Sequence, residues 1–148
     1  MTVKTGTLVD ATIIASASED DGDARWVKHK GKRAVHGFKA HVGADADTAL
    51  VEELLVRSAN INDGKAGPEA LPDNPGEVFA ESAYRGSHFR DVVRAKGDIP
   101  RIVFTCKWGR DETETLRKLQ EWNQPIYRVR CRIEKIFGTL KRCYTKAR

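Results

Sequence analysis

Long apolar runs are missing from this sequence. No stretch approaches the roughly 18 residues that cross a bilayer as a helix, and the opening MTVKTGTLVD has no apolar core of the kind a signal peptide needs. Cysteine is scarce: Cys106, Cys131 and Cys143 are odd in number and show neither zinc-ligand spacing nor a disulfide framework. That suits a reducing compartment, and a cytoplasmic protein is expected. Proline is limited to five residues, and no repeat or low-complexity tract is present, which excludes collagen-like and disordered classes. What remains is a 148-residue chain, 40% apolar and 32% charged with both signs mixed, the profile of one globular domain with its own core.

Positive charge is unevenly placed. From Asn123 to Arg148 there are eight Lys/Arg against one acid, Glu134, whereas the rest of the chain holds slightly more acids than bases. Such a block either keeps a terminal helix solvated or binds a polyanion by releasing its counterions.

The order of elements follows from hydrophobic pattern. Thr7–Ala15 is β-branched and apolar, a buried strand interrupted by one acid, Asp10. Residues 16–35 are polar and read as a long exposed loop. His36–Gly43 alternates in polarity, Leu50–Arg57 is the next apolar run, and the linker 44–48 makes a hairpin of the two. A loop and short helix follow over 60–71, then a short strand Val78–Ala80 with Glu81 at its end. A helix over 87–96, a strand over 99–105, a helix over 111–122 and a strong helix over 124–142 complete an α/β order, a mixed sheet with helices on its faces. Gly86 is expected to permit a tight turn after the strand bearing Glu81.

At 100° per residue, Ile126, Val129, Ile133, Ile136, Phe137 and Leu140 form one apolar stripe on the last helix. Tyr127, Arg130, Glu134 and Lys141 form a polar strip at its edge, and Arg128, Arg132, Lys135 and Arg142 lie outside. An ordinary i,i+4 Arg130–Glu134 pair would account for two of the four strip residues but not for Tyr127 and Lys141.

The spacing Tyr127-x2-Arg130-x3-Glu134-x6-Lys141 resembles the signature of bacterial insertion-sequence transposases of the DDE type, in the group that includes the IS-four and IS-five families. Gly6–Ile14 is similar to the family's first catalytic strand, His36–Gly43 to its second-strand segment, 59–63 to the loop before the second acid, and Phe79–Gly86 to the segment carrying that acid. The resemblance runs from about residue 6 to 142. It implies a ribonuclease H-like catalytic domain over residues 1–148, with Asp10, Glu81 and Glu134 as catalytic metal ligands for two Mg²⁺ (or Mn²⁺) ions. It implies also that Tyr127, Arg130 and Lys141 handle DNA, with the outer Arg128, Arg132 and Arg142 adding to the contact. The implied partners are double-stranded DNA at transposon ends and target, together with a second copy or the product of an upstream frame joined by frameshifting. No membrane is implied. Two departures stand out: Glu81 replaces the family's second Asp, and only nine residues precede Asp10, too few for the family's N-terminal DNA-binding region. The first departure implies weak or absent cleavage, and the second a chain truncated at its N-terminus, as a fragment, a pseudogene product or the downstream half of a frameshifted protein. A DNA-binding remnant that inhibits an intact transposase is the alternative, and an unrelated nuclease of the same fold a third.

Among other candidates, His36 and His41 are five apart on one strand and face opposite sides. The acids Glu19, Asp20, Asp21 and Asp23 lack calcium-loop spacing. Trp26 and Trp108, beside basic residues, either pack peripherally or stack on bases.

Overall fold

The computed structural model describes residues 5–105 and 109–146, and side chains up to residue 142. Trp108, Cys106 and the side chain of Cys143 lie outside the described residues. The strands are β1 (Gly6–Ala15), β2 (Arg25–Val27), β3 (Val35–Asp45), β4 (Val51–Ser58), β5 (Glu77–Ala80) and β6 (Pro100–Ile102). The helices are α1 (Asp63–Ala66), α2 (Ser87–Ala95) and α3 (Glu112–Lys146), with 3₁₀ turns at Gly67–Ala70 and Ser82–Tyr84.

Among the described residues, six strands join one sheet. Its order is β2-β3-β1-β5-β6, with β4 also on β3. β1, β3 and β4 are antiparallel neighbours, while β5 and β6 run parallel to β1. This mixed sheet flanked by helices is compatible with a ribonuclease H-like fold. No helix among the described residues is long and apolar enough to cross a membrane.

Alternation along β1 divides the core between two faces. On one face, Val9, Val78 and Ala80 pack with Leu71, Tyr84, Phe89 and Val93. On the other, Leu8 and Ala46 receive Ile133 of α3, with Phe79, Val129, Ile136 and Phe137 around them, so the apolar stripe on α3 packs as its periodicity indicates. Gly43 lets the Gly67–Ala70 turn lie directly on β3: a Cβ there would run into the Ala70 carbonyl oxygen. Overpacking of this kind costs about 1–3 kcal/mol. Gly43→Ala is accordingly expected to lower unfolding free energy by that amount in urea denaturation, with an unchanged m-value.

Four expectations need correction. The polar stretch 16–35 contains β2, which pairs with the start of β3. The strand expected over 99–105 is only three residues long. The last two expected helices are one, running through Pro125. Proline removes a single helical hydrogen bond, and both sides of the break are held: Trp122 Nε1 donates to Ile102 O at 2.9 Å, the Asn123 side chain bonds Phe104 N and O at 2.9 and 2.8 Å, and Ile126 is buried. Gly86 has φ −62° and ψ 151° with open space around its Cα, so the turn there does not require glycine.

Candidate active site

β5 pairs with β1 only over Gly6–Leu8, in the register Leu8↔Phe79. Two residues further along each parallel strand stand Asp10 and Glu81, level with one another and on the same side as Leu8. Beyond that point β5 has ended, and β1 runs on with no strand on that side among the described residues. Glu81 is extended (φ −74°, ψ 172°) and leads into the Ser82–Tyr84 turn.

α3 crosses above this point. With Ile126 and Ile133 buried on either side, Arg130 is aimed at the two acids. Its Nη2 donates to Asp10 Oδ2 at 2.7 Å and its Nη1 sits 2.5 Å from Glu81 Oε1. The Arg130 and Asp10 side chains are only 12% and 15% exposed, against 50% for Glu81. Asp10 also accepts from the Ala11 N–H at 2.8 Å. Burial raises the Asp10 pKa above its ordinary value, against the lowering effect of Arg130. Burial works against the Arg130 cation, yet Asp10 and Glu81 outweigh it and hold its pKa above normal. The local i,i+4 partner considered for Arg130 is thus replaced by an acid within β1 and one just past the end of β5.

An open cleft of about 1110 Å³ lies along the free edge of β1, with Asp10, Glu81, Asp63, Lys39 and Lys141 in its lining. Lys39 is buried and binds Asp63 at 2.7 Å and the Ile61 carbonyl at 3.1 Å. Asp63 is placed by the start of α1, where Asn62 caps the Gly64 N–H at 2.8 Å. Beneath these groups Tyr84 is fully buried with its hydroxyl unpartnered. Burial, then the charges of Asp63, Asp10 and Glu81, push its pKa up. His41, on the face away from Asp10, is buried with both ring nitrogens unpartnered, and burial lowers its pKa.

The remaining candidates are distributed along α3. Glu134 is exposed, one turn beyond Arg130, and is not part of the cleft lining. Tyr127 is 48% exposed one turn before it, and Arg128 is exposed. Arg132 donates to the Ala46 and Asp47 carbonyls, tying α3 to the β3–β4 turn. Arg142 bonds Gly138 O at 3.2 Å and Thr139 Oγ1 at 3.3 Å, within its own helix. Among the described residues, no three His, Cys, Asp or Glu side chains are grouped to hold a metal ion. The structure therefore unites Asp10, Glu81 and Arg130, adds Lys141 along the cleft, and leaves Glu134 outside the cluster.

The sequence offered no sign that Arg130 bridges the two acids. Lys39 and Asp63 had a signal, since both fall in segments set apart above, 36–43 and 59–63.

Whether the acids suit a metal is tested by what they already hold. Two carboxylate oxygens, one from β1 and one from just past the end of β5, converge on one cation, and hard divalent ions bind such oxygens. Asp10 and Glu81 therefore fit. No solved structure matches the chain. A family model described as "Transposase DDE domain" matches residues 2–148.

Proposed function

The chain belongs to the transposase DDE domain family, and we propose that it cuts and joins DNA at the ends of an insertion sequence of the IS-four/IS-five group. Membership implies DNA as substrate and divalent metal in the chemistry. The observation that carries the finer reading is the meeting of Asp10 and Glu81 on a single cationic group at 2.7 and 2.5 Å.

Asp10, Glu81 and Glu134 are the proposed ligands for Mg²⁺ or Mn²⁺. The first two meet at the sheet, and the third lies on the same strip of α3 as Arg130. Two such ions would activate an attacking water or 3′-hydroxyl and stabilise the leaving oxygen of a phosphodiester. The chain's own groups do the rest. β1 and the end of β5 hold Asp10 and Glu81 level, and rigid elements aim side chains better than loops do. Arg130, fully charged and fork-shaped, neutralises this acidic pair and suits a phosphate equally well. Lys141 adds positive charge along the cleft, and Tyr127 and Arg128 extend the contact surface on α3. Arg132, engaged with two backbone carbonyls, and Arg142, engaged with the Gly138 carbonyl and the Thr139 hydroxyl, have that much less to offer DNA.

Purified protein, Mn²⁺ and a supercoiled plasmid carrying the element's terminal repeats test the proposal. Slow nicking at the repeats, lost in Asp10→Asn, is the expected result. Binding without nicking would favour the second reading, an inactive remnant that blocks an intact transposase through mixed oligomers. Glu81 in place of Asp is the observation that favours it.

A further inference from the structure

We infer that the β2–β3 hairpin is a DNA-binding arm, its basic tip taking phosphates of the strand that flanks the cut and Trp26, backed by His36, taking a base. The inference rests on the reading of this chain as a DNA-processing domain, and names a contact surface separate from α3.

Charge is the first observation. From Lys28 to Phe38 there are four Lys/Arg and no acid, after the acidic stretch Glu19–Asp23. Lys28, Lys30, Lys32 and Arg33 are all exposed at the tip, where Gly31 at φ +79° turns the chain and Lys32 N–H bonds His29 O at 3.0 Å. Arg25 is spent on the Gly22 and Ala24 carbonyls and is not part of the surface.

Position is the second. The cleft that begins at Asp10 and Glu81 extends to His29, Lys32 and Arg33, with Asp21 the one acid at that end, so the hairpin tip forms one end of the same channel. The pairing Asp10↔Val42, Ile14↔Phe38 and Trp26↔His36 places Asp10, Ile14, Phe38, His36 and Trp26 on one face of the sheet. Ser16 N–H bonds His36 O at 2.8 Å, marking where β1 reaches the hairpin. Six residues of strand from Asp10 to Ser16 span about 20 Å, the length of about six nucleotides of B-form strand.

An aromatic platform is the third. Trp26 is 55% exposed and its ring centroid lies 5.2 Å from that of His36. An indole left open to solvent beside clustered bases is the arrangement that stacks on nucleobases, whatever their sequence.

The test measures binding of a labelled 30-base-pair duplex with EDTA present, so that no cleavage contributes. For the variant Lys28→Ala/Lys30→Ala/Lys32→Ala/Arg33→Ala, affinity at about 0.1 M salt is expected to fall at least tenfold, and the slope of log K against log salt to flatten by about 2–4. Circular dichroism should be unchanged, since the four side chains are exposed. A second variant, Trp26→Phe, is expected to abolish most of the DNA-induced change in tryptophan emission. Native affinity and slope in the quadruple variant, or native quenching in Trp26→Phe, would overturn the inference while leaving the DNA-processing reading intact. Failure of the native chain to bind the duplex at low salt would overturn both.

Discussion

Glu81→Asp is expected to raise the rate of Mn²⁺-dependent nicking by about 100-fold. The backbone at residue 81 is level with Asp10 through the Leu8↔Phe79 register, so shortening the side chain by one methylene draws its carboxylate back by roughly an ångström, and an error of that size costs about two orders of magnitude when reacting groups must align. Binding to terminal-repeat DNA should change little, because the substitution keeps an acid at this position and the positive surfaces are untouched. Asp10→Asn should slow nicking about a thousandfold in either background, the effect of losing about 4 kcal/mol of metal-borne charge stabilisation. A Glu81→Asp variant no faster than the native chain would show that the limit lies elsewhere, and the placement of Glu134 outside the acidic pair would then be the next suspect.

The largest effect on stability belongs to Arg130. Replacing it with Met leaves the Asp10 carboxylate, 15% exposed, facing Glu81 with no counter-charge. Breaking a buried pair from one side costs about 3–5 kcal/mol, and urea denaturation of Arg130→Met at pH 7.5 in EDTA should show a loss of that size. The dependence on pH has a definite sign. Burial already raises the Asp10 pKa in the folded state above 3.8, and removing Arg130 takes away the group that opposes the shift. Folding therefore favours the protonated acid: stability is complete below pH 3.8 and is lost as pH rises through the elevated folded-state value. The gap between variant and parent should narrow towards pH 4 and widen at neutrality. Asp10→Asn in the Arg130→Met background should recover most of the loss, and Mn²⁺ should recover part of it by occupying the two acids. A loss independent of pH, unrelieved by Asp10→Asn, would mean that Arg130 acts through packing of its stem alone.

How much of this was legible beforehand depended on the range of the interaction. β1, β3 and β4 declare themselves through a β-branched run and alternating polarity, signals local to each strand. The apolar stripe of α3 is equally local, and Ile133 packs on Leu8 as its periodicity requires. β2 carries little pattern of its own; Arg25–Val27 is a strand because β3 extends past β4 and offers it an edge. Pro125 does not divide α3, since Trp122, Asn123 and Ile126 anchor the helix on both sides of it, and anchoring by tertiary contacts is invisible to a propensity argument. Arg130 is the sharpest case. Helical spacing offers it Glu134, while the fold offers Asp10 from 120 residues away, and only the assembled sheet brings the more buried partner within reach. The four-residue signature singled out one strip of α3, but not which of its members would meet the sheet.

That 120-residue span has a consequence for synthesis. β1 and β5 leave the ribosome well before α3, so a chain interrupted late in translation presents two neighbouring acids without their counter-charge, over a sheet face where Leu8 has no cover. On the proposed function, the two acids gain their counter-charge, and the strip that carries Glu134 its place, only once α3 has been made and laid on the sheet.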